Sequence, residues 1–212
     1  MQIRGSTSLR LGLAAAVTYF LAHLLGWETL ALVSKPAPVL CLLAFLLPVH
    51  HRDGALIAGG LLLSAIGDLL LEASPALFLP GLAAFLLAHV AYIAAFVGRT
   101  SQPELRRLVP VLLFSGLAFQ VLAPHLGAMR GPVIAYVVVI SVMLWRAGAQ
   151  LGGRGAAGLS GWLATGGAWM FALSDLMVAW QRFVDPQAGL QLPLMVLYWG
   201  AQTAITASAR RD

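Results

Sequence analysis

The stretch Leu61-Leu-Leu-Ser-Ala-Ile-Gly-Asp-Leu-Leu-Leu-Glu72 limits the fold more than any other part of the chain. It reads as membrane helix, yet it holds an ionisable Asp68 where hydrocarbon should be. A charged side chain inside a bilayer costs at least roughly 2.5–3.5 kcal/mol on insertion scales, so such residues are rare and tend to be functional. The pattern recurs at Ala172-Leu-Ser-Asp-Leu-Met-Val178, which puts Asp175 in the same local setting, 107 residues after Asp68 and half the chain away. Any functional account has to explain two carboxylates in the membrane, one per half.

Composition agrees with the class. Hydrophobic residues make up 60% and charged residues 10% of the 212, against roughly 45–50% and 25% in soluble domains. The apolar residues fall in long charge-free runs, so the fold class is all-α and polytopic, a single integral membrane domain over residues 1–212. The net charge of +5 does not indicate nucleic acid, because the basic residues sit between the apolar runs. Cys41 is the only cysteine, which rules out an intrachain disulfide. Met1–Leu25 has the charge order of a signal peptide but no small-x-small cleavage site, and reads as a first helix that stays.

Eight transmembrane helices are expected, near 9–25, 36–49, 54–72, 76–98, 105–124, 131–147, 158–181 and 190–208. Short turns such as His51-Arg-Asp-Gly54 and Asp185-Pro-Gln-Ala-Gly189 join them. With the N-terminus inside, Arg4, Arg10, Arg52, Arg99, Arg106, Arg107, Arg146, Arg154, Arg210 and Arg211 fall on the cytoplasmic side. Only Lys35, Arg130 and Arg182 fall outside, a positive-inside bias that supports an even number of spans. The expected location is a bacterial inner (cytoplasmic) membrane with both termini cytoplasmic. The 107-residue offset suggests two parallel four-helix halves. Gly59, Gly60, Ser64 and Gly67 in the third span, and Gly158, Gly161, Gly166 and Gly167 in the seventh, would let helices approach closely.

At about 1.5 Å per residue, both aspartates lie roughly 20–25 Å from the inner ends of their helices, in the outer part of the bilayer. Ser64, Asp68 and Glu72 share one helix face at i, i+4 spacing. Lys35 enters from the outer end of the second span, where Ser34 and Pro36 fit a helix start. A helix N-terminus with a lysine is a natural phosphate site. His89 and Tyr92 share a face of the fourth span with Phe85 and Phe96, His89 being nearer the inner side. Glu72 reads as an interfacial charge, and His23, His50, His51 and His125 as structural, loop or interface residues. The structural reading of the aspartates is interhelical hydrogen bonding or an ion pair with Lys35. Polar contacts in membranes are usually made by Ser, Thr or Asn, which favours the chemical reading. Metal-binding patterns such as His-Glu-x-x-His are missing, so no metal is expected, nor is a cofactor, and the missing Gly-x-Ser-x-Gly elbow argues against a serine hydrolase.

Taken in order, the motifs resemble the YhhN-like lysoplasmalogenase family of eight-span membrane proteins. They are Ser34-Lys-Pro36 with Pro38-Val-Leu-Cys-Leu42, then Ser64-Ala-Ile-Gly-Asp68. Phe78-x-x-Gly81-x-x-x-Phe85-x-x-x-His89-x-x-Tyr92-x-x-x-Phe96 and Trp145-Arg-Ala147 follow. Gly167-Ala-x-x-Phe171-x-Leu-Ser-Asp175, Arg182-Phe183 and Tyr198-x-x-Ala-Gln202 complete the series. The resemblance implies hydrolysis of the vinyl ether of a lysophospholipid substrate drawn from the lipid bilayer, giving a fatty aldehyde and a glycerophospho-alcohol. It also implies that Asp68 and Asp175 are the catalytic pair.

The chemistry suits two carboxylates. Protonating the β carbon of a vinyl ether makes an oxocarbenium ion, which water captures. A carboxylic acid must deliver that proton and a carboxylate must steady the cation and activate water, roles that two carboxyls in a dry site can divide. Under this reading Lys35 binds the head-group phosphate, while Tyr198, Gln202 and Ser174 orient water or the glycerol hydroxyl. Ser64, His89 and Tyr92 complete the substrate-binding set. Paired intramembrane aspartates also describe a proton-coupled transporter. An intramembrane aspartyl protease is disfavoured, since its Gly-x-Gly-Asp would be Ala65-Ile-Gly-Asp68 here and its Tyr-Asp would be Ser174-Asp175.

Overall fold

A computed structural model describes residues 2–152 and 158–210, except the side chains of residues 2–5. Of the residues in the charge count, Arg154, Arg211 and the side chain of Arg4 lie outside the described residues. Two compact units are present, Met1–Tyr92 and Ile93–Asp212. Unit 1 contains α1 (Gln2–Leu24), α2 (Glu28–Ser34), α3 (Ala37–Leu46), α4 (Arg52–Ala73) and the first part of α5 (Phe78–Arg99). Unit 2 contains the end of α5, then α6 (Leu108–Leu122), α7 (Arg130–Ala149), α8 (Leu159–Phe183) and α9 (Gln191–Ser208). No strand occurs among the described residues.

Seven helical segments among the described residues are long and apolar enough to cross a membrane, from Ser6–Leu24 to Leu159–Phe183. The chain is an integral membrane protein. Its outward apolar residues fit that setting: Leu13 is 69% exposed and Leu112, Leu113 and Leu117 are each above 60%, a fence of leucine that faces lipid rather than water. The eighth expected span corresponds to α9, which does not pass the same test of apolarity. Its polar residues Tyr198, Gln202, Thr206 and Ser208 are buried inside unit 2, so a lower hydropathy is compatible with an apolar outer face.

The second span corrects one expectation. It begins at Glu28 rather than near Pro36 and runs to Leu46 as two short helices joined at Lys35-Pro36. Ser34 does not cap a helix start; it is the last residue of α2 and its hydroxyl donates back to the Leu30 carbonyl at 2.5 Å. Lys35 and Pro36 both keep right-handed helical backbone, so the chain kinks instead of starting afresh. Pro36 and Pro38 have no N–H to give, which accounts for the break.

Within unit 1, α1 packs on α3 and α2, and α3 on α4. Tyr19, Val39, Ile57 and Leu61 have no exposed surface there. Helix α1 is followed by Gly26 in the left-handed region (φ 69°), with Trp27 N–H donating to the Ala22 carbonyl at 2.8 Å, and the chain turns into α2. Within unit 2, α8 lies along α9, while α7 packs on α8 and α6 on α7. A Cβ on Gly167 would meet the Ala201 carbonyl oxygen and Ile205 Cγ1 at 2.9 Å, so only glycine permits this approach of α8 to α9. Two arginines counted as topology signals are also staples. Arg99 donates to Ser208 Oγ at 2.9 Å, and the buried Arg146 donates to the Thr100 and Gln102 carbonyls, holding the turn before α6.

Candidate functional site

In unit 1 the candidate residues Ser64 and Asp68 lie on helix α4. Ser64 and Asp68 are both buried, at 0% and 2% exposure, one turn apart on the same face. The wall over them is aromatic because glycines leave room for it. A Cβ on Gly67 would meet the Phe85 ring at 2.6 Å, and one on Gly60 would run into Tyr92. The helix α5 thus brings Phe85, His89 and Tyr92 to this unit's core, all three buried. Ser64 Oγ is enclosed with no hydrogen-bond partner among the described residues.

Another turn along α4, Lys35 Nζ donates to Glu72 Oε2 at 2.8 Å. Lys35 is 8% exposed. It is therefore engaged by a carboxylate at a helix kink, instead of waiting at a helix N-terminus as the sequence suggested. Glu72, read as an interfacial charge, is the partner. A signal for this pair existed in the sequence, since charge sorting puts the outer ends of the second and third spans on the same side.

Unit 2 holds its carboxylate differently. Asp175 on α8 is half-buried and accepts a hydrogen bond from the Tyr136 O–H, on α7, at 2.7 Å from Oδ2. Tyr136 was not singled out from the sequence. Its depth was the available clue, since an outside start to α7 places Tyr136 in the outer half of the bilayer, where Asp175 was also expected. Ser174 is buried and donates to the Phe171 carbonyl at 2.7 Å, so it braces its own helix. Tyr198 meets the edge of Phe171, with ring centroids 5.4 Å apart, and Gln202 is fully buried one turn further along α9. Among the described residues no group of three or more His, Cys, Asp or Glu side chains could hold a metal ion.

Each unit thus offers a carboxyl on a helix of membrane-spanning length, with polar neighbours at single positions in otherwise apolar walls. Known proteins with similar sequences carry one activity in their names. Human lysoplasmalogenase TMEM86B is 40% identical over 191 residues, covering 89% of this chain and 78% of the relative. Bovine lysoplasmalogenase TMEM86A is 36% identical over 184 residues, covering 82% and 76%. The lysoplasmalogenase of Mycobacterium bovis is 34% identical over 166 residues, covering 74% and 60%. No solved structure matches. The model of the YhhN family matches residues 30–209, which includes both aspartates and every candidate site residue, and the chain belongs to the YhhN family.

Proposed function

We propose that this chain is a membrane-embedded ether hydrolase, a lysoplasmalogenase, in which Asp68 and Asp175 do the acid–base chemistry. The similarity to three lysoplasmalogenases over most of the chain supports the reaction class. The observation that carries the residue assignment is that each unit places one aspartate on a membrane-length helix, Asp68 behind an aromatic wall and Asp175 against the Tyr136 hydroxyl.

One carboxyl transfers its proton to the β carbon of the vinyl ether, and the electron pair of the double bond forms the new C–H bond. The ether oxygen then shares its lone pair with the α carbon, giving an oxocarbenium ion. The second carboxylate takes a proton from water as the water oxygen attacks that carbon. The resulting hemiacetal loses the glycerol oxygen as an alcohol and becomes the aldehyde, which balances one water consumed against one C–O bond broken. Positioned acid–base groups of this kind contribute about 10²–10⁴-fold each.

The remaining residues take supporting roles. Tyr136 fixes the Asp175 carboxylate, and Tyr198, Gln202 and Ser174 shape the surroundings of water and glycerol in unit 2. Ser64, His89 and Tyr92 do so in unit 1, where Lys35 acts through Glu72. The enzyme has its termini on the cytoplasmic side, an orientation supported by the sorting of the basic residues. The test is aldehyde release from a lysoplasmalogen by purified wild type, Asp68→Asn and Asp175→Asn. Aldehyde from wild type and loss in both folded variants is the expected result. Full activity in either variant removes that residue from the chemistry, and movement of the lipid without cleavage replaces the hydrolase with a transporter.

A further inference from the structure

Most serines and threonines inside the helices of this chain bond back to their own backbone. Thr18, Ser34, Ser141, Thr165, Ser174 and Thr203 each donate to a carbonyl three or four residues earlier, at 2.5–2.9 Å. Ser64 does not, although the Gly60 carbonyl stands one turn before it on α4. Its hydroxyl is fully buried and has no hydrogen-bond partner among the described residues. Thr206 is the other enclosed hydroxyl in that state. One turn to either side of Thr206 stand Gln202 and Arg210, whereas one turn beyond Ser64 stands Asp68. We propose, on the lysoplasmalogenase reading above, that Ser64 is a positioning residue that holds the attacking water for Asp68.

A buried hydroxyl without a partner is costly, and such groups are normally matched by an internal water that makes about three hydrogen bonds. Ser64 and Asp68 are both buried on one face of α4, an axial step of about 6 Å apart. That step is too long for a direct hydrogen bond and is matched by two in series through one water, at about 2.8 Å each. Helix α5 brings a further polar group to the same level. A Cβ on Gly60 would run into the Tyr92 ring and one on Gly67 would meet Phe85, so α5 runs antiparallel to α4. Ser64, midway between those glycines, comes level with Ala88 and His89, midway between those rings. His89 is fully buried. Ser64 and His89 thus share one polar level, bounded along the helices by Phe85 and Tyr92.

In the reaction the water donates one O–H to the Asp68 carboxylate and the other to Ser64 Oγ, which leaves a lone pair for the α carbon of the oxocarbenium ion. As the C–O bond forms, the first proton passes to Asp68 and the π electrons return to the ether oxygen. The Ser64 hydroxyl gains and loses nothing. It sets the direction of attack, a contribution that appears in kcat rather than in substrate binding.

The test uses purified protein in lipid nanodiscs, an alkenyl lysolipid, and methanol as a second nucleophile. Capture by water gives aldehyde, capture by methanol gives a mixed acetal that keeps the glycerol, and mass spectrometry counts both. Methanol has one O–H and cannot engage Asp68 and Ser64 together, so wild type is expected to give mostly aldehyde. Ser64→Ala is expected to lower kcat about tenfold, in keeping with one lost hydrogen bond, and to raise the acetal share while KM and melting temperature stay put. Ser64→Thr keeps the hydroxyl and should stay near the wild-type product ratio. Wild-type kcat and ratio in Ser64→Ala overturn the proposal, and a rise in KM alone also does, since it makes Ser64 a contact of the substrate. A lower kcat with an unmoved ratio, or a ratio shifted equally by Ala and Thr, makes Ser64 part of the packing and overturns it too. A high-resolution crystal structure reads the water without turnover. Density within hydrogen-bond distance of Ser64 Oγ and the Asp68 carboxylate, lost in Ser64→Ala, supports the water even if no aldehyde forms, in which case only the reaction falls. Aldehyde release with no density there overturns the water and leaves the reaction standing.

Discussion

Asp68 and Asp175 sit in nearly the same words, Ala-Ile-Gly-Asp-Leu and Ala-Leu-Ser-Asp-Leu, but in different surroundings. The residue before Asp68 is Gly67, and its missing side chain lets the Phe85 ring lie against α4, where Asp68 is buried. The residue before Asp175 is Ser174, which is occupied by the Phe171 carbonyl and admits no such ring. There the carboxylate stays half-buried and a phenol from another helix holds it. One aspartate lies almost fully buried, and the other lies half-buried against a phenol. A repeat in sequence therefore records a shared helix pattern, while the burial and neighbours of each acid differ between the units.

That difference can be broken or sharpened in steps. The largest effect is expected from Asp68→Asn and Asp175→Asn, each lowering kcat roughly 10²–10⁴-fold in the aldehyde assay. Equal losses say that the two differently placed groups are equally needed. Next, Lys35→Met leaves Glu72 without its cation. Breaking a buried pair costs about 3–5 kcal/mol, and the 10% and 20% side-chain exposure here places the loss near the lower end. Unfolding in detergent measures it, and adding Glu72→Met should recover most of the stability.

Gly67→Val tests packing directly. Its Cβ would overlap Phe85, so a loss of roughly 1–3 kcal/mol in stability is expected, with activity falling alongside. Tyr136→Phe tests the hydrogen bond. It should lower kcat about tenfold, near 1.5 kcal/mol, while KM and thermal stability hold steady. A Tyr136→Phe protein that melts early but keeps its kcat would make Tyr136 a brace for the fold only. The smallest effect belongs to Ser64→Ala, within about 0.5 kcal/mol on unfolding, because no hydrogen bond among the described residues is lost.

The sequence made the membrane class and most helix boundaries plain because charge-free apolar runs leave a chain few choices. It also exposed Asp68 and Asp175, since an acid among leucines stands out at any reading. The second span was misplaced for a specific reason. Ser34-Lys-Pro36 matches the pattern of a capped helix start, and nothing local distinguishes a serine that caps forwards from one that bonds back to Leu30. Tyr136 and the Lys35–Glu72 pair escaped for another reason. Their partners are 39 and 37 residues away, beyond any helical period, and only packing brings them together. Arg146 was half legible: its charge marked a membrane side, but its grip on the Thr100 and Gln102 carbonyls depends on a turn that no periodicity describes.

The inward polar stripe of α9 has a consequence for how the protein is made. Tyr198, Gln202, Thr206 and Ser208 would all meet lipid if α9 entered the bilayer alone, and each would weigh against insertion. Helix α8 comes earlier in the chain and lies along α9, with Gly167 letting the two backbones close, so it covers part of the inward face of α9. Insertion of α9 is then a docking event between two neighbours more than a partition into oil. A bulky residue at Gly167 would be felt first during biogenesis, as protein that never accumulates, before any catalytic defect could be measured.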